Sequence, residues 1–214
     1  MFEKVLPKDA KDSLASISAK NILPQKTYLA GGTALALQFG HRKSFDFDFF
    51  TPTKFKAETL ALKMKRSFKN FKLDQLAWGT ILGYLGKTRF SLFIYEYPLL
   101  FPAQEFAGAV LADVRDIAAM KIAAISDRGT KRDFIDLYTI VASRNIISLA
   151  ECLNLYDKKF KALDQNKIHI LKSLVYFNDA EADLMPKMLE RVGWPEVKKF
   201  FQKEITALSK KLLQ

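Results

Sequence analysis

The 214 residues carry 34 Lys+Arg against 23 Asp+Glu, a formal charge of +11, with 49% hydrophobic and 27% charged residues. That is enough apolar material for one large or two small buried cores in a soluble chain, and the basic excess permits a polyanionic partner without requiring one. No apolar run approaches the roughly 18 residues that span a membrane, no signal-type apolar segment follows Met1, and the lone Cys152 excludes an internal disulfide framework or a cysteine-built zinc site, so no membrane partner is expected and the cytoplasm is the expected compartment.

Residues 8–20 predict a first helix. Pro7 suits its start, Leu14 and Ile17 make its apolar stripe, and Asn21 and Pro24 end it. Residues 27–30 predict a short strand, and residues 33–39 a helix entered through Gly31 and Gly32 and closed by Gly40. A strand, a glycine pair and a helix start make a phosphate cradle. The glycines admit a ligand close to the backbone, and the N–H groups at the helix start face it. His41 reads as a surface or hydrogen-bonding histidine rather than a ligand, since no second histidine lies nearby.

Phe45-Asp46-Phe47-Asp48-Phe49-Phe50 follows. Period-two alternation puts Asp46 and Asp48 on one strand face and Phe45, Phe47 and Phe49 on the other. Two adjacent carboxylates repel each other, which is tolerable where a hard cation such as Mg²⁺ sits between them.

Residues 54–70 predict an amphipathic helix with Ala57, Leu60, Ala61, Met64 and Phe68 on its core face. From Thr51 to Lys72 the chain carries seven basic residues against Glu58 alone, more than half of the whole excess. Lys56, Lys63 and Arg66 are thus candidates for an RNA-phosphate surface, and a solvated basic face is the equal alternative. Residues 73–82 and 90–97 predict two strands, with Gly83, Gly86 and Lys87 at the bend. On the second, Arg89, Ser91, Phe93 and Tyr95 share a face, and Glu96 near its end is the only acid.

Pro98 and Pro102 suggest a domain boundary, with one more short strand in residues 106–114 before the pattern turns helical. Asp116 reads as the N-cap of a helix over 117–126, in which Lys121 interrupts an apolar run and needs an anionic partner. Gly129 and Thr130 lead into a helix over 131–143 with Phe134, Leu137, Tyr138 and Val141 as its stripe. Asp133 and Asp136 sit three apart on another face, where an ion-pair set with Lys121 and Arg128 would satisfy all four charges. The remainder reads as generic helix: 149–156 with a buried Cys152, a stripe of Ile168, Leu171 and Val175, then segments over 179–188 and 194–213, with Trp194 in the core.

Taken together, Gly31-Gly32 and, fourteen residues on, Asp46-Phe47-Asp48 resemble the signature of the DNA polymerase β-like nucleotidyltransferases. With Gly40-His41-Arg42 and Ser44 the stretch resembles, more specifically, the AbiEii/AbiGii toxin family. Lys121, Arg128, Arg132, Asp133, Asp136 and Leu137 fit that family's second block. The resemblance covers residues 28–140. It implies an α+β fold: a small mixed-sheet core flanked by helices (residues 1–110), then a helical half (111–214) that closes over the active-site cleft, bringing Lys121 near Asp46 and Asp48.

The resemblance also implies a Mg²⁺-dependent transfer of a nucleoside monophosphate from a nucleoside triphosphate to an acceptor hydroxyl, on tRNA, another RNA or a protein. Asp46 and Asp48 would hold the metal and, with Lys121 and Asp136, carry catalysis. Gly31, Gly32, Thr33, Arg42 and Ser44 would bind the nucleotide, and Arg128, Arg132 and Asp133 would support. Ser91 stands where such enzymes carry a third strand carboxylate, so a non-catalytic nucleotide- or RNA-binding module is the alternative. The family further implies the toxin of a bacterial toxin–antitoxin or phage abortive-infection system, with a cognate antitoxin protein as partner.

Overall fold

The computed structural model describes residues 1–161 and 167–212. The chain divides into two compact units, Met1–Asp113 and the part from Val114 onward.

The first unit is built on a seven-stranded mixed sheet. Its strands are β1 (Tyr28–Ala30), β2 (Asp46–Thr51), β3 (Phe71–Ala77), β4 (Thr80–Leu85), β5 (Thr88–Ile94), β6 (Gln104–Phe106) and β7 (Ala109–Leu111). Their order across the sheet is β3-β4-β5-β2-β1-β7-β6. β2 runs antiparallel to β1 and parallel to β5. Strict alternation on β2 buries Phe47 and Phe49 and leaves Asp46 and Asp48 half-buried on the opposite face. The buried face continues through Leu29, Phe90, Leu92, Ile81 and Leu85. Three helices complete the unit: α1 (Lys8–Ala19), which packs on β5 and β7, α2 (Gly31–Phe39) on β1 and β2, and α3 (Ala57–Ser67) on β3 and β4.

The expected class, a mixed sheet with helices followed by a helical half, is the one observed, with several local corrections. The run read as one strand over 73–82 is two strands joined at Trp78 and Gly79. Gly79 takes a φ of +62°, so Ala77 pairs with Thr80 across a two-residue turn. A hydrophobic run hid this turn, because Trp78 is apolar yet 83% exposed. Gly83 lies inside β4 rather than at a bend, where a Cβ would collide with the Lys72 carbonyl. In place of one strand within 106–114, residues 104–111 form a hairpin, β6 and β7, that belongs to the first unit. Glu96 lies beyond the end of β5 and pairs with Lys54 at 3.6 Å.

The second unit contains α4 (Val114–Asp127), α5 (Lys131–Tyr138), α6 (Leu149–Lys159), α7 (Lys167–Ser173), α8 (Asn178–Glu181) and α9 (Trp194–Leu212). Leu213, the expected last residue of the final helix, lies outside the described residues. A wider helical turn, Thr139–Ser143, follows α5 directly. Phe134 is the hub of an aromatic core, 5.1 Å from Phe177, 5.9 Å from Trp194 and 5.4 Å from Phe201 between ring centroids. Asp116 is no N-cap. It lies within the first turn of α4, fully buried, and accepts a hydrogen bond from the equally buried Lys159 at 2.8 Å. A charge so enclosed needs an opposite charge, and Lys159 supplies it from α6. Ile168 is 60% exposed, so the expected stripe is carried by Leu171 rather than shared equally.

Candidate active site

The local geometry of the first unit follows from one glycine. Gly31 leaves β1 with a φ of +66° and starts α2. A side chain is disfavoured there by conformation. It is also disfavoured by space, since a Cβ on Gly31 would lie 2.9 Å from Asp48 Oδ2. Ala30 and Asp48 are direct cross-strand partners, which puts the second carboxylate beside the glycine turn. Asp46 projects from the same face of β2, two residues back along the strand.

Behind the carboxylates lies a polar clasp. The Thr33 hydroxyl, on the first turn of α2, contacts Ser44 Oγ at 2.7 Å and also the Asp46 carbonyl. The Arg42 guanidinium donates to the Lys43 carbonyl at 3.0 Å and reaches Ser44 Oγ at 3.5 Å. Thr33, Arg42 and Ser44 are all buried. Their hydrogen bonds tie the start of α2 to the segment entering β2 and so fix the glycine turn against Asp46 and Asp48. Of the two expectations for His41, a surface or a hydrogen-bonding histidine, the surface one does not hold, since His41 is fully buried and meets Phe39 edge-on at 6.4 Å. The αL turn at Gly40 closes α2 and folds the imidazole inward.

On β5, Arg89 is the register partner of Asp46 and Ser91 that of Asp48. Ser91 therefore occupies the strand position beside the second carboxylate. Among the described residues no group of three or more His, Cys, Asp or Glu is placed to hold a metal ion. The oxygen donors of the site itself are the carboxylates of Asp46 and Asp48. Lys56, Lys63 and Arg66 are exposed on or next to α3. That helix covers the buried sides of β3 and β4, opposite the face that bears Asp46 and Asp48.

The second unit brings together the charges expected to pair. Lys121 Nζ on α4 lies 2.8 Å from Asp133 Oδ1 and 2.6 Å from Asp136 Oδ2 on α5. Arg128 adds a bond to Asp133 Oδ2 at 3.0 Å, and the Thr130 hydroxyl another at 2.6 Å. The side chain of Asp133 is 1% exposed and that of Asp136 fully buried, whereas Arg128 remains 62% exposed. Burial alone would raise the Asp133 carboxyl, but the Lys121 charge and the Arg128 hydrogen bond outweigh it and hold the group well below the usual carboxylate range. Arg132, next to Asp133 on α5, is exposed. The sequence reading missed Lys159 as the partner of Asp116, for lack of any local pattern linking residues 43 apart.

Comparison with known proteins supplies the class of chemistry. The family model described as "Nucleotidyl transferase AbiEii toxin, Type IV TA system" matches residues 13–77 and 95–211. The uncharacterized protein aq_aa25 of Aquifex aeolicus is 34% identical over 207 residues, 94% of this chain and 96% of its own length. Two solved structures share the fold. A putative nucleotidyltransferase from Helicobacter pylori aligns with a TM-score of 0.56 at 18% identity, over 96% of this chain and 93% of that one. MenT4, a nucleotidyltransferase toxin of Mycobacterium tuberculosis H37Rv, aligns with a TM-score of 0.58 at 14% identity, over 92% and 82%.

Proposed function

The chain belongs to the AbiEii nucleotidyl transferase toxin family, and we propose that it moves a nucleoside monophosphate from a nucleoside triphosphate to an acceptor hydroxyl on tRNA, another RNA or a protein. The observation that carries this reading is the Asp48 carboxylate lying against the side-chain-free Gly31 at the start of α2. An anionic triphosphate suits the N–H groups at a helix start, and the missing Cβ lets the Asp48 carboxylate stand directly beside them.

The donor chemistry of the site fits Mg²⁺. Asp46 and Asp48 offer hard carboxylate oxygens from one strand face, and a cation between them would relieve their mutual repulsion. When bound, the metal would neutralise triphosphate charge and polarise the phosphoryl oxygens. The chain's own contribution is positioning. Gly31, Gly32 and Thr33 would cradle the phosphates, while Arg42 and Ser44 hold that cradle against β2. In the second unit, Lys121 is read as the cation that balances charge growing on the pyrophosphate, with Asp136 orienting it and Asp133, Arg128 and Arg132 in support.

The non-catalytic alternative drew its strength from Ser91 beside Asp48. Membership of a family of nucleotidyl transferases outweighs it. The family description also supports the toxin of a toxin–antitoxin system, and a phage abortive-infection role, a cognate antitoxin protein as partner and action in the cytoplasm, where nucleoside triphosphates are found, belong to the same proposal. No helix among the described residues is long and apolar enough to cross a membrane.

The test is incubation of the purified chain with each labelled nucleoside triphosphate, Mg²⁺ and either total tRNA or cellular protein. Label should pass to one acceptor class in a Mg²⁺-dependent way and vanish with Asp46→Asn or Asp48→Asn. Transfer that survives both substitutions would overturn the assignment of the carboxylates.

A further inference from the structure

The register of the sheet aligns four residues in one row. Lys72 on β3 pairs directly with Tyr84 on β4, Tyr84 with Arg89 on β5, and Arg89 with Asp46 on β2. Directly paired residues of neighbouring strands project from the same face. The row therefore reads cation, aromatic ring, cation, carboxylate, and it ends at the proposed active site. Lys72 and Arg89 are two strand spacings apart, about 10 Å, with the tyrosine between them.

Nothing in the core explains these residues. Lys72 and Arg89 are exposed, and Tyr84 is 41% exposed, while their strand neighbours Phe71, Leu85 and Phe90 are buried on the other face against α3 and the apolar sheet core. A large aromatic residue held on a rigid strand between two solvent-facing cations is the arrangement that receives single-stranded nucleic acid. The cations meet phosphates, and the ring offers a stacking surface to any base. The chain's charge of +11 favours such a ligand.

We propose that Lys72, Tyr84 and Arg89 form a track for a single-stranded nucleic acid across the open face of β3, β4 and β5, leading its end toward Asp46. The inference deepens the proposed transfer reaction by giving its acceptor a chemical class and a path. It rests on that reaction for the direction of the track, but binding itself is measured without turnover. The track and the basic side of α3 are separate candidate surfaces, since α3 packs on the opposite face of the sheet, and variants tell them apart.

The experiment is fluorescence anisotropy of a labelled ten-nucleotide oligouridine titrated with the full chain over a range of salt, without nucleoside triphosphate. Tyr84→Ala should weaken binding roughly 5- to 100-fold, and Tyr84→Phe should leave it close to wild type. Lys72→Ala and Arg89→Ala should each flatten the salt slope by about 0.7. Lys63→Glu combined with Arg66→Glu should keep the wild-type slope apart from a small general electrostatic loss. Circular dichroism confirms that each variant folds. No binding by the intact chain, wild-type binding by Tyr84→Ala, or loss confined to the α3 variant would each overturn the track. Asp46→Asn separates the two readings. It should bind the oligonucleotide at least as tightly as wild type while losing transfer. Retained transfer would sink the carboxylate assignment and leave the track standing.

Discussion

Gly31 and Asp48 occupy each other's space: the carboxylate Oδ2 stands 2.9 Å from where a Cβ on the glycine would be. No other residue type satisfies both constraints at position 31, because φ is +66° and the volume is taken. Gly31→Ala should cost about 1–2 kcal/mol from backbone conformation alone. It should also displace the Asp48 carboxylate, lowering Mg²⁺–nucleotide affinity beyond what the stability loss explains. Urea unfolding with calorimetric titration of Mg²⁺ and nucleotide checks both parts. Unchanged nucleotide affinity in a folded variant would break the link between the glycine turn and the site.

Asp46→Asn deletes a charge with almost no change of volume. The fold should persist, and apo stability should rise slightly as carboxylate repulsion is removed. Mg²⁺-dependent nucleotide binding should be lost. Calorimetry on this variant decides the matter, and wild-type affinity would remove Asp46 from the metal-binding role.

The placement of the two carboxylates beside the glycine turn was legible because its signals are local. Alternation on Phe45–Phe50 gave the face of Asp46 and Asp48, and Gly31-Gly32 gave the turn, all within twenty residues of each other. The Lys121 ion pairs were legible too, since helical spacing puts Asp133 and Asp136 one turn apart and a lysine on an apolar helix demands anions. Tyr84 was invisible for a physical reason. Its partners in the row come from three other strands, and reading 73–82 as one strand left it in a supposed bend. Lys159 and Asp116 show the same limit, as burial creates their mutual need only once α4 and α6 pack. His41 went inward because the chain reverses at Gly40, a backbone event that composition does not report.

Cys152 offers a check on the second unit's core. Burial, with the nearby Glu151 charge, pushes its thiol up to about 12, so the thiolate is scarce at neutral pH. A disulfide reagent at pH 8 should fail to label the native chain and should label it fully in denaturant. Rapid labelling without denaturant would mean that α6 opens readily. Cys152→Ser should destabilise the unit by about 1–3 kcal/mol, because it buries a hydroxyl in an apolar setting.

Lys121 bridges two buried carboxylates, and its removal should be felt in stability and pH dependence as well as in catalysis. Lys121→Ala leaves Asp136 buried without this cation, while Asp133 keeps Arg128 and Thr130, and the cost should be about 3–5 kcal/mol. Lys121→Met combined with Asp136→Leu should recover much of that loss, since an apolar pair needs no counter-charge. The pH dependence has a definite sign. The folded Asp133 pKa lies below its unfolded value of about 3.9. The native state therefore stays ionised after the unfolded chain begins to take up protons. Its stabilisation is complete above pH 4 and is lost as pH falls further toward the depressed folded value. Lys121→Ala should raise the folded pKa and move the onset of acid unfolding upward. Kinetics then separate an ion-pair role from a chemical one. If Lys121 meets charge growing on pyrophosphate, the variant should lose kcat far more than nucleotide affinity, at a temperature where it remains folded. Equal kcat in wild type and folded variant would leave Lys121 with the ion pairs alone.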